Sequence, residues 1–446
     1  MSVAVSYPGV YVEEDASVAL SIAQSATAVP VFVGQFTAAD GSAFPASTCI
    51  RINSWLDFST RFSFAYSVVA AITSALDDNT PPEWKYTDPV VSYTYNPAWG
   101  LRHYFENGGG SCYVLPLVNP ADTAELAALP DAIEKEGVIT LLVCLSDDDT
   151  QRKSVYNALN TLLQNKVDYF LIADSKDGST ASNPSTLAEQ TAVYYPSLKT
   201  AYSVARPDDS AIVVKGYEDD ENQGKDLSLS DLKTASQAEY QAVSDAIDAY
   251  IASNPTLTLP SSGTMAAVYC QNDARRGVWK APANEAISGV TGLTALVTDS
   301  QQGPLNDAGV NVIRSFSERG IVVWGARTLA GTAANSDMSW RYVSVRRLFN
   351  SAERDIRNAM NTMVFQPNNQ PTWERVRGAI NNYLWQLWRD GALKGTTEKE
   401  AYFVQIGENI TMTADDIAQG KMIAKVGMAA VRPAEYIILE FTQNMA

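Results

Sequence analysis

One histidine and four cysteines are all that 446 residues offer for imidazole catalysis or soft metal ligation. His103 stands in LRHYFENGGG with no nucleophile beside it, so multi-histidine metal chemistry is excluded and a histidine-based triad has little footing. Cys49, Cys112, Cys144 and Cys270 are far apart and form no CxxC pair. Three of them stand in apolar runs that read as strands (SCYVLPL, ITLLVCL and AAVYC), so buried free thiols are expected rather than a zinc site. No apolar run approaches the roughly 20 residues a membrane helix needs. The opening MSVAVSYPGV lacks a basic stretch followed by an apolar one, so no secretory signal is expected and folding is expected in the cytoplasm.

Basic residues are scarce in one part of the chain only. Residues 270–446 carry 19 Lys and Arg against 17 Asp and Glu, which leaves 14 against 33 in residues 1–269. The first portion is thus near −19 and the second near +2. That split fits a soluble acidic outer portion joined to a near-neutral portion that packs against something, and it disfavours nucleic acid as a partner. A hydrophobic content of 46% and a charged content of 19% belong to a folded chain, long enough for two or three cored domains.

Residues 1–22, MSVAVSYPGVYVEEDASVALSI, alternate without a helical period, and Glu13, Glu14 and Asp15 separate two strand-like pieces. An extended arm is expected there. TAVPVFVGQF (27–36) reads as a buried strand, and residues 65–100, with NTPPEW and YTYNPAW, read as a surface insertion. HYFENGGGSCYVLPLV (103–118) reads as a helix end, a turn and a strand. Without a following Lys-Ser/Thr, its GGG is a turn and not a phosphate loop. Residues 118–259 carry an α/β pattern. VITLLVCL (138–145) is a buried parallel strand, TQRKSVYNALNTLLQN (150–165) a helix with Val155, Leu159, Leu162 and Leu163 on one face, and DYFLIAD (168–174) the next strand. SAIVVKG (210–216) and a long helix over 230–253 extend it. Asp147, Asp148 and Asp149 follow a strand where α/β sites gather; a metal site and a helix-capping acidic turn are both open, with the cap favoured.

From residue 260 onward two helices dominate. RYVSVRRLFNSAERDIRNAMNTMVF (341–365) sets Val345, Leu348, Phe349, Ala352, Ile356, Met360 and Met363 in one stripe. Arg346, Arg347, Arg354 and Arg357 fall within about 100° on the other side. That basic face is either a docking surface or a solvated one with acidic partners in the same chain. A second helix follows Pro371 and Thr372, turns Trp373, Val376, Ile380, Tyr383, Leu384, Leu387 and Trp388 inward, and stops at Gly391. Strands are expected at AYFVQIG (401–407), MIAKVGMAAV (422–431) and AEYIILEF (434–441). The last needs a partner on at least one edge, and a bare apolar edge is an aggregation hazard.

Taken together, these stretches resemble the contractile tail sheath proteins of bacteriophages, R-type bacteriocins and phage-like extracellular injection systems. The resemblance rests on SYPGVYVEE (6–14), HYFENGGGSCYVLPL, AVYCQNDARRGVWKAPAN (267–284), PLNDAGVNVI (304–313), VWGARTL (323–329), RYVSVRRL (341–348) and VGMAAVRPAEYIILEF (426–441), in the family's order. It is weakest over 65–100 and 205–258. It implies a mixed α/β and α+β fold. An inner α+β sheath domain (23–117 and 260–433) is built from both chain ends, an outer α/β domain (118–259) is inserted between them, and strand arms extend at 1–22 and 434–446.

The resemblance also implies stacked hexameric rings that polymerise around an inner tube and contract to drive it through a target envelope, with no cofactor, metal or catalytic residue. The implied partners are neighbouring sheath protomers, the inner tube protein, and baseplate and terminal cap proteins, without direct membrane insertion. Tyr7, Val10, Tyr11, Val12, Val18, Leu20, Ile22, Tyr436, Ile437, Ile438, Leu439 and Phe441 become the arm residues that pair with another subunit. Arg346, Arg347, Arg354 and Arg357 become candidate contacts with the inner tube by complementary charge. The particle, assembled in the bacterial cytoplasm, would be a phage tail or a released tail-like particle, a bacteriocin or toxin-delivery device among them. A baseplate-proximal paralogue stays open beside a main-shaft sheath. A small-molecule enzyme on the βαβ unit is the remote alternative, since no Gly-rich fingerprint follows Leu145 and no nucleophile–base pair is in sight.

Overall fold

A run such as Pro30–Gly34 (PVFVG, β1), buried at every residue, fits only the interior of a sheet covered on both faces. The other strands of that sheet are β2 (Ile50–Ile52), β3 (Cys112–Pro116), β4 (Leu141–Cys144), β5 (Phe170–Asp174), β6 (Thr191–Tyr195), β7 (Val310–Phe316) and β8 (Gly320–Val323). They lie in the order β8-β7-β6-β5-β4-β1-β3-β2. From β7 through β3 the strands are parallel, and the outer strands β8 and β2 run antiparallel to their neighbours. The pleat sends alternate residues to opposite faces: Phe32, Val114, Val143 and Ile172 into one core, Val31, Val33, Leu142 and Leu171 into the other. The first core is covered by α1 (Ala98–Glu106) through Leu101 and Tyr104. The second is covered by α2 (Thr123–Glu136) and α3 (Asp149–Asn165) through Leu129, Ile133, Val155 and Leu159. The chain then returns to the first core with Met265 and Tyr269 of α4 (Ser262–Arg276).

The computed structural model describes residues 20–436 apart from 46, 66, 80, 166–167, 181–187, 333 and 336. These divide into two compact units, one of residues 20–25 and 351–431, the other of 26–350 and 432–436. The division differs from the expected inner and outer domains. β1 pairs with β3 on one side and β4 on the other, so the eight-stranded sheet crosses the expected boundary at 117/118. Buried parallel strands join wherever their apolar faces can be covered, whichever segment supplies them. No helix among the described residues is long and apolar enough to cross a membrane.

Local signals set the helix ends. Asp122 accepts from the Ala124 and Glu125 amides at the start of α2, and Gly137, in the left-handed region at φ 64°, ends it. Asp148 of the acidic turn accepts from the Thr150 and Gln151 amides at 2.6 and 3.0 Å and so caps α3. Asp174, buried at the end of β5, accepts from the Ser262 amide at 2.8 Å and the Ser261 hydroxyl at 3.0 Å at the N-terminus of α4. AAVYC, which reads as a strand, is the middle of α4. A helix buried on every side shows no polar stripe to betray its period.

The two segments of weakest resemblance fold together. Ser67–Ala71 pairs with Val90–Thr94 and also, in parallel, with Val213–Lys215, which pairs with Leu227–Ser228. Two helices, Leu229–Ala235 and Gln237–Ser253, cover this sheet in place of the single helix expected over 230–253. Ser236 breaks the run and caps the second helix through the Glu239 amide. Val68, Ala70, Val214, Leu232, Val243 and Ile247 form a separate core. Both excursions leave through closed necks: Asn96 Nδ2 donates to the Ser63 carbonyl at 3.1 Å, and the Val204 amide to the Pro255 carbonyl at 3.0 Å. Segments 65–100 and 205–258 hold 15 acidic against 5 basic residues, so more than half of the net charge of −17 sits in this module. Excising 66–95 and 205–254 with short Gly-Ser bridges at the necks should therefore leave a soluble, cooperatively melting body. Its Tm should stay within about 4 °C of the parent's, a shift of order 1 kcal/mol; a molten product by calorimetry would show the module to be integral.

The two longest helices that follow are α5 (Val343–Met360) and α6 (Gln370–Arg389). Asn369 caps α6, and Trp373, Val376, Ile380, Tyr383, Leu384 and Leu387 point inward as their spacing predicts. In the same unit β9 (Tyr402–Ile406) and β10 (Ala424–Met428) pair antiparallel, from Tyr402↔Met428 to Ile406↔Ala424. The Phe403 ring lies across Gly427, where a Cβ would come within 2.2 Å of it, so a side chain there would displace the ring.

Candidate assembly site

Four of the stretches that carried the resemblance meet at one place, around Arg327. Arg327 is the single charge in VWGARTL and is 3% exposed. A charge so buried needs partners. Its Nε and Nη2 donate to the Glu435 carboxylate at 2.9 and 2.6 Å, its Nη2 also to the Tyr436 hydroxyl at 3.1 Å, and its Nη1 to the Asn306 carbonyl at 3.1 Å. The Asn306 side-chain oxygen, turned inward, accepts from Arg327 Nη2 at 3.0 Å and from Tyr436 at 3.3 Å. Tyr342 donates to Glu435 at 3.4 Å. The Arg327 backbone is held in turn: its amide donates to Asn311 Oδ1 at 2.7 Å, and its carbonyl accepts from Asn311 Nδ2 at 2.8 Å. Asn311 belongs to β7 and also donates to the Val193 carbonyl of β6 at 3.1 Å. A Cβ at Gly325 would stand 2.9 Å from Asn311 Oδ1, so the chain needs glycine to pass. Burial works against the Arg327 charge, but the Glu435 carboxylate outweighs it and its pKa stands raised. Glu435 and Tyr436 are thus bolted to the large sheet.

The N-terminal root is held differently. Leu20 and Ile22 are half-buried in irregular chain, and no strand among the described residues pairs with them. The Ser25 amide donates at 3.2 Å to Asp355, a buried carboxylate that also accepts from Tyr383 at 2.9 Å. Tyr7, Val10, Tyr11, Val12, Val18, Ile437, Ile438, Leu439 and Phe441 lie outside the described residues. Tyr436 is inside them and 70% exposed beyond its hydroxyl contacts.

The four arginines of α5 do not form an outward basic face. Arg346, Arg347 and Arg354 are 5%, 3% and 6% exposed, and of the four only Arg357 is an exposed residue. Arg347 donates to both oxygens of Asp273 at 3.1 and 2.6 Å, and Arg346 donates to Asn350 at 2.7 Å and lies 3.9 Å over the Trp340 ring. The intramolecular alternative holds for Arg347, with a partner supplied by AVYCQNDARR. Charges this deep are not available to an outside surface.

Two features that sequence periodicity does not flag lie in the unit of α6. Among the described residues the β9–β10 sheet has two strands only, so each strand has a free edge. The unit also exposes large apolar side chains: Val364 57%, Phe365 101%, Phe403 53% and Ile410 62%. Phe365 holds φ 68°, a left-handed backbone that a bulky side chain rarely adopts, and its ring covers nothing.

Cys112, Cys144 and His103 are buried, and Cys49 and Cys270 are partly buried. Burial pushes the Cys49 and Cys144 thiols up to about 12, and all four cysteines are free. His103 is buried between α1 and α4 with Nδ1 2.7 Å from Thr264 Oγ1, and burial lowers its pKa below 6.5. The unfolded chain then takes up this proton first, so stability is lost as pH falls below about 6.5. His103→Gln should flatten the slope of unfolding free energy between pH 5 and 7 by up to about 1.4 kcal/mol per pH unit, read from urea midpoints.

Residues 119–329 match the phage tail sheath protein central domain, and residues 335–444 the phage tail sheath C-terminal domain. The chain is similar to a chain of the anti-feeding prophage (AFP) helical sheath in its contracted state, with 43% identity over 99% of this chain and 100% of that one and a TM-score of 0.71. A chain in the six-fold symmetrised AFP baseplate is as similar, with 43% identity over the same shares and a TM-score of 0.70. The tail sheath protein of Burkholderia phage BcepMu is 27% identical over 150 residues, 32% of this chain and 31% of that one, so the match spans about a third of that curated relative. The chain belongs to the contractile tail sheath protein family.

Proposed function

We infer that this chain is a structural subunit of a contractile sheath, polymerising with copies of itself around an inner tube and contracting to drive that tube forward. The observation that carries the reading is the β9–β10 sheet, which has no third strand among the described residues, in a protomer whose C-terminal arm starts from an anchored root. Strand addition from a second copy satisfies such an edge and gives register through alternate side chains. Contacts of this head-to-tail kind do not close on one pair of molecules and so propagate as rings or helices. The apolar Phe403 and Ile410 beside the sheet fit a face that other protomers cover.

Tube contact by charge passes to Arg357 and the outward residues of α6, Arg389 among them, because the other α5 arginines are engaged inside the protomer. Assembly in the bacterial cytoplasm, with baseplate and cap proteins at the two ends, completes the proposal. Electron microscopy of the purified protein tests it: wide, striated hollow tubes are expected, and a strictly monomeric protein at high concentration would overturn it. A baseplate-proximal position is the second reading, favoured by equal similarity to the chain in the baseplate structure. A tag on the module at residues 218–222, located by gold labelling on intact particles, separates a label along the shaft from one confined to an end.

A further inference from the structure

We propose that the Arg327–Glu435 ion pair is a latch that fixes where the C-terminal arm leaves the protomer and carries the pull on that arm into the large sheet. The proposal rests on the arm-exchange reading above. It does not follow from that reading, because an exchanged strand needs no anchor of this kind.

Three observations carry it. First, Glu435 and Tyr436 are bound by residues far from them in sequence, Asn306, Arg327 and Tyr342, which belong to the same compact unit as residues 432–436. Second, the contact is directional. A two-nitrogen grip on one carboxylate fixes the orientation of the chain as well as its position, which a hydrophobic contact at the same place would not. Third, the grip is connected to the interior. Glu435 is held by Arg327, the Arg327 backbone by Asn311 at two points, and Asn311 reaches from β7 to the Val193 carbonyl of β6. Pull on the arm therefore meets the parallel sheet within three side chains. Tyr342 and Tyr436 flank the pair, and the Arg327 Nη1 contact to Asn306 braces the guanidinium from the far side. In a polymer that rearranges while its links persist, the residue next to each link must not slide. A charge-assisted pair whose arginine is buried meets that requirement better than a fully exposed one, which salt would screen.

Glu435→Gln keeps the shape and loses the charge, and Arg327→Met with Glu435→Ala removes both charges so that neither is left buried alone. The double variant should melt as the parent does and Glu435→Gln, which leaves the Arg327 charge without its carboxylate, at a lower temperature, whereas in both hydrogen exchange at 433–436 should speed up at least about tenfold and pelletable sheath polymer should fall about tenfold. Wild-type polymer yield and length from both variants would overturn the latch. If the double variant fails to fold, Glu435→Gln alone decides. A chain ending at Tyr436, latch intact, is assayed in parallel: normal polymer from it defeats the arm reading itself. Loss from the truncation together with normal polymer from Glu435→Gln defeats the latch and leaves that reading standing.

Discussion

A chain ending at Tyr436 is expected to fold, stay soluble and fail to polymerise. Every core residue named above precedes Arg432, so removing 437–446 takes nothing from the three cores of the described residues. Glu435 and Tyr436 remain to hold Arg327, so no buried charge is orphaned. What is removed is IILEFTQNMA, whose first five residues have backbone groups that can each enter a ladder. At about 0.5–1.5 kcal/mol net for each hydrogen bond, such a strand contributes several kcal/mol to every contact. That is about 10²–10³-fold or more in association, before any side chain is counted. In a polymer each protomer both gives and receives an arm, so the loss applies at every link and the outcome is close to all or none. The parent and truncated chains should give superimposable thermal melts, and sedimentation should find polymer only with the parent. Normal sheaths from the truncated chain would end the strand-exchange account, and a melt lowered by several degrees would place residues 437–446 in the protomer's own fold.

What was legible in the sequence was local. PVFVG, LLVC and FLIAD read as buried strands because a near-continuous apolar run leaves a strand no exposed face. The inward stripe of α6 was legible for the same reason, a period of 3.6 with a cap at one end and a glycine at the other. Three things were not. The pairing of Ser67–Ala71 with Val213–Lys215 joins residues more than 140 positions apart, and no period within either segment records it. The burial of Arg346 and Arg347 depends on what packs on the far side of α5, and the partner Asp273 comes from 74 residues away. The Arg327–Glu435 pair spans 108 positions, but it did leave a signal: a lone arginine in the apolar VWGARTL requires a carboxylate somewhere. RPAEYIILEF, with one glutamate just ahead of its apolar run, was the place to look.

The other large expected effect concerns Arg347. Arg347→Ala should lower the stability of its unit by about 3–5 kcal/mol, the usual consequence of breaking a buried ion pair from one side. Its guanidinium and the Asp273 carboxylate are 3% and 5% exposed and meet at 2.6 Å. Thr27 completes the group, its hydroxyl donating to Asp273 at 2.6 Å and its carbonyl accepting from Arg347 at 3.1 Å. The guanidinium also lies 4.7 Å over the Tyr269 ring, and Tyr269 is hydrogen-bonded to Tyr194 of β6 at 2.8 Å. Burial alone would drain the Arg347 charge, and the Asp273 carboxylate holds its pKa above the ordinary value. Removing the arginine leaves that carboxylate in the core with a threonine hydroxyl for company, and the loss should show as a fall in Tm of roughly 6–20 °C. Arg347→Met with Asp273→Leu removes both charges and fills most of the space, so the double variant should recover at least about 2 kcal/mol of the summed single losses. Arg357→Glu, on the exposed side of the same helix, should move stability by no more than about 0.5 kcal/mol. The three variants separate a core pair from a docking surface. A tube-facing Arg347 would leave the melt unchanged on substitution and weaken only the grip of sheath on tube, whereas a core pair lowers the melt in the isolated protomer, before any tube is present.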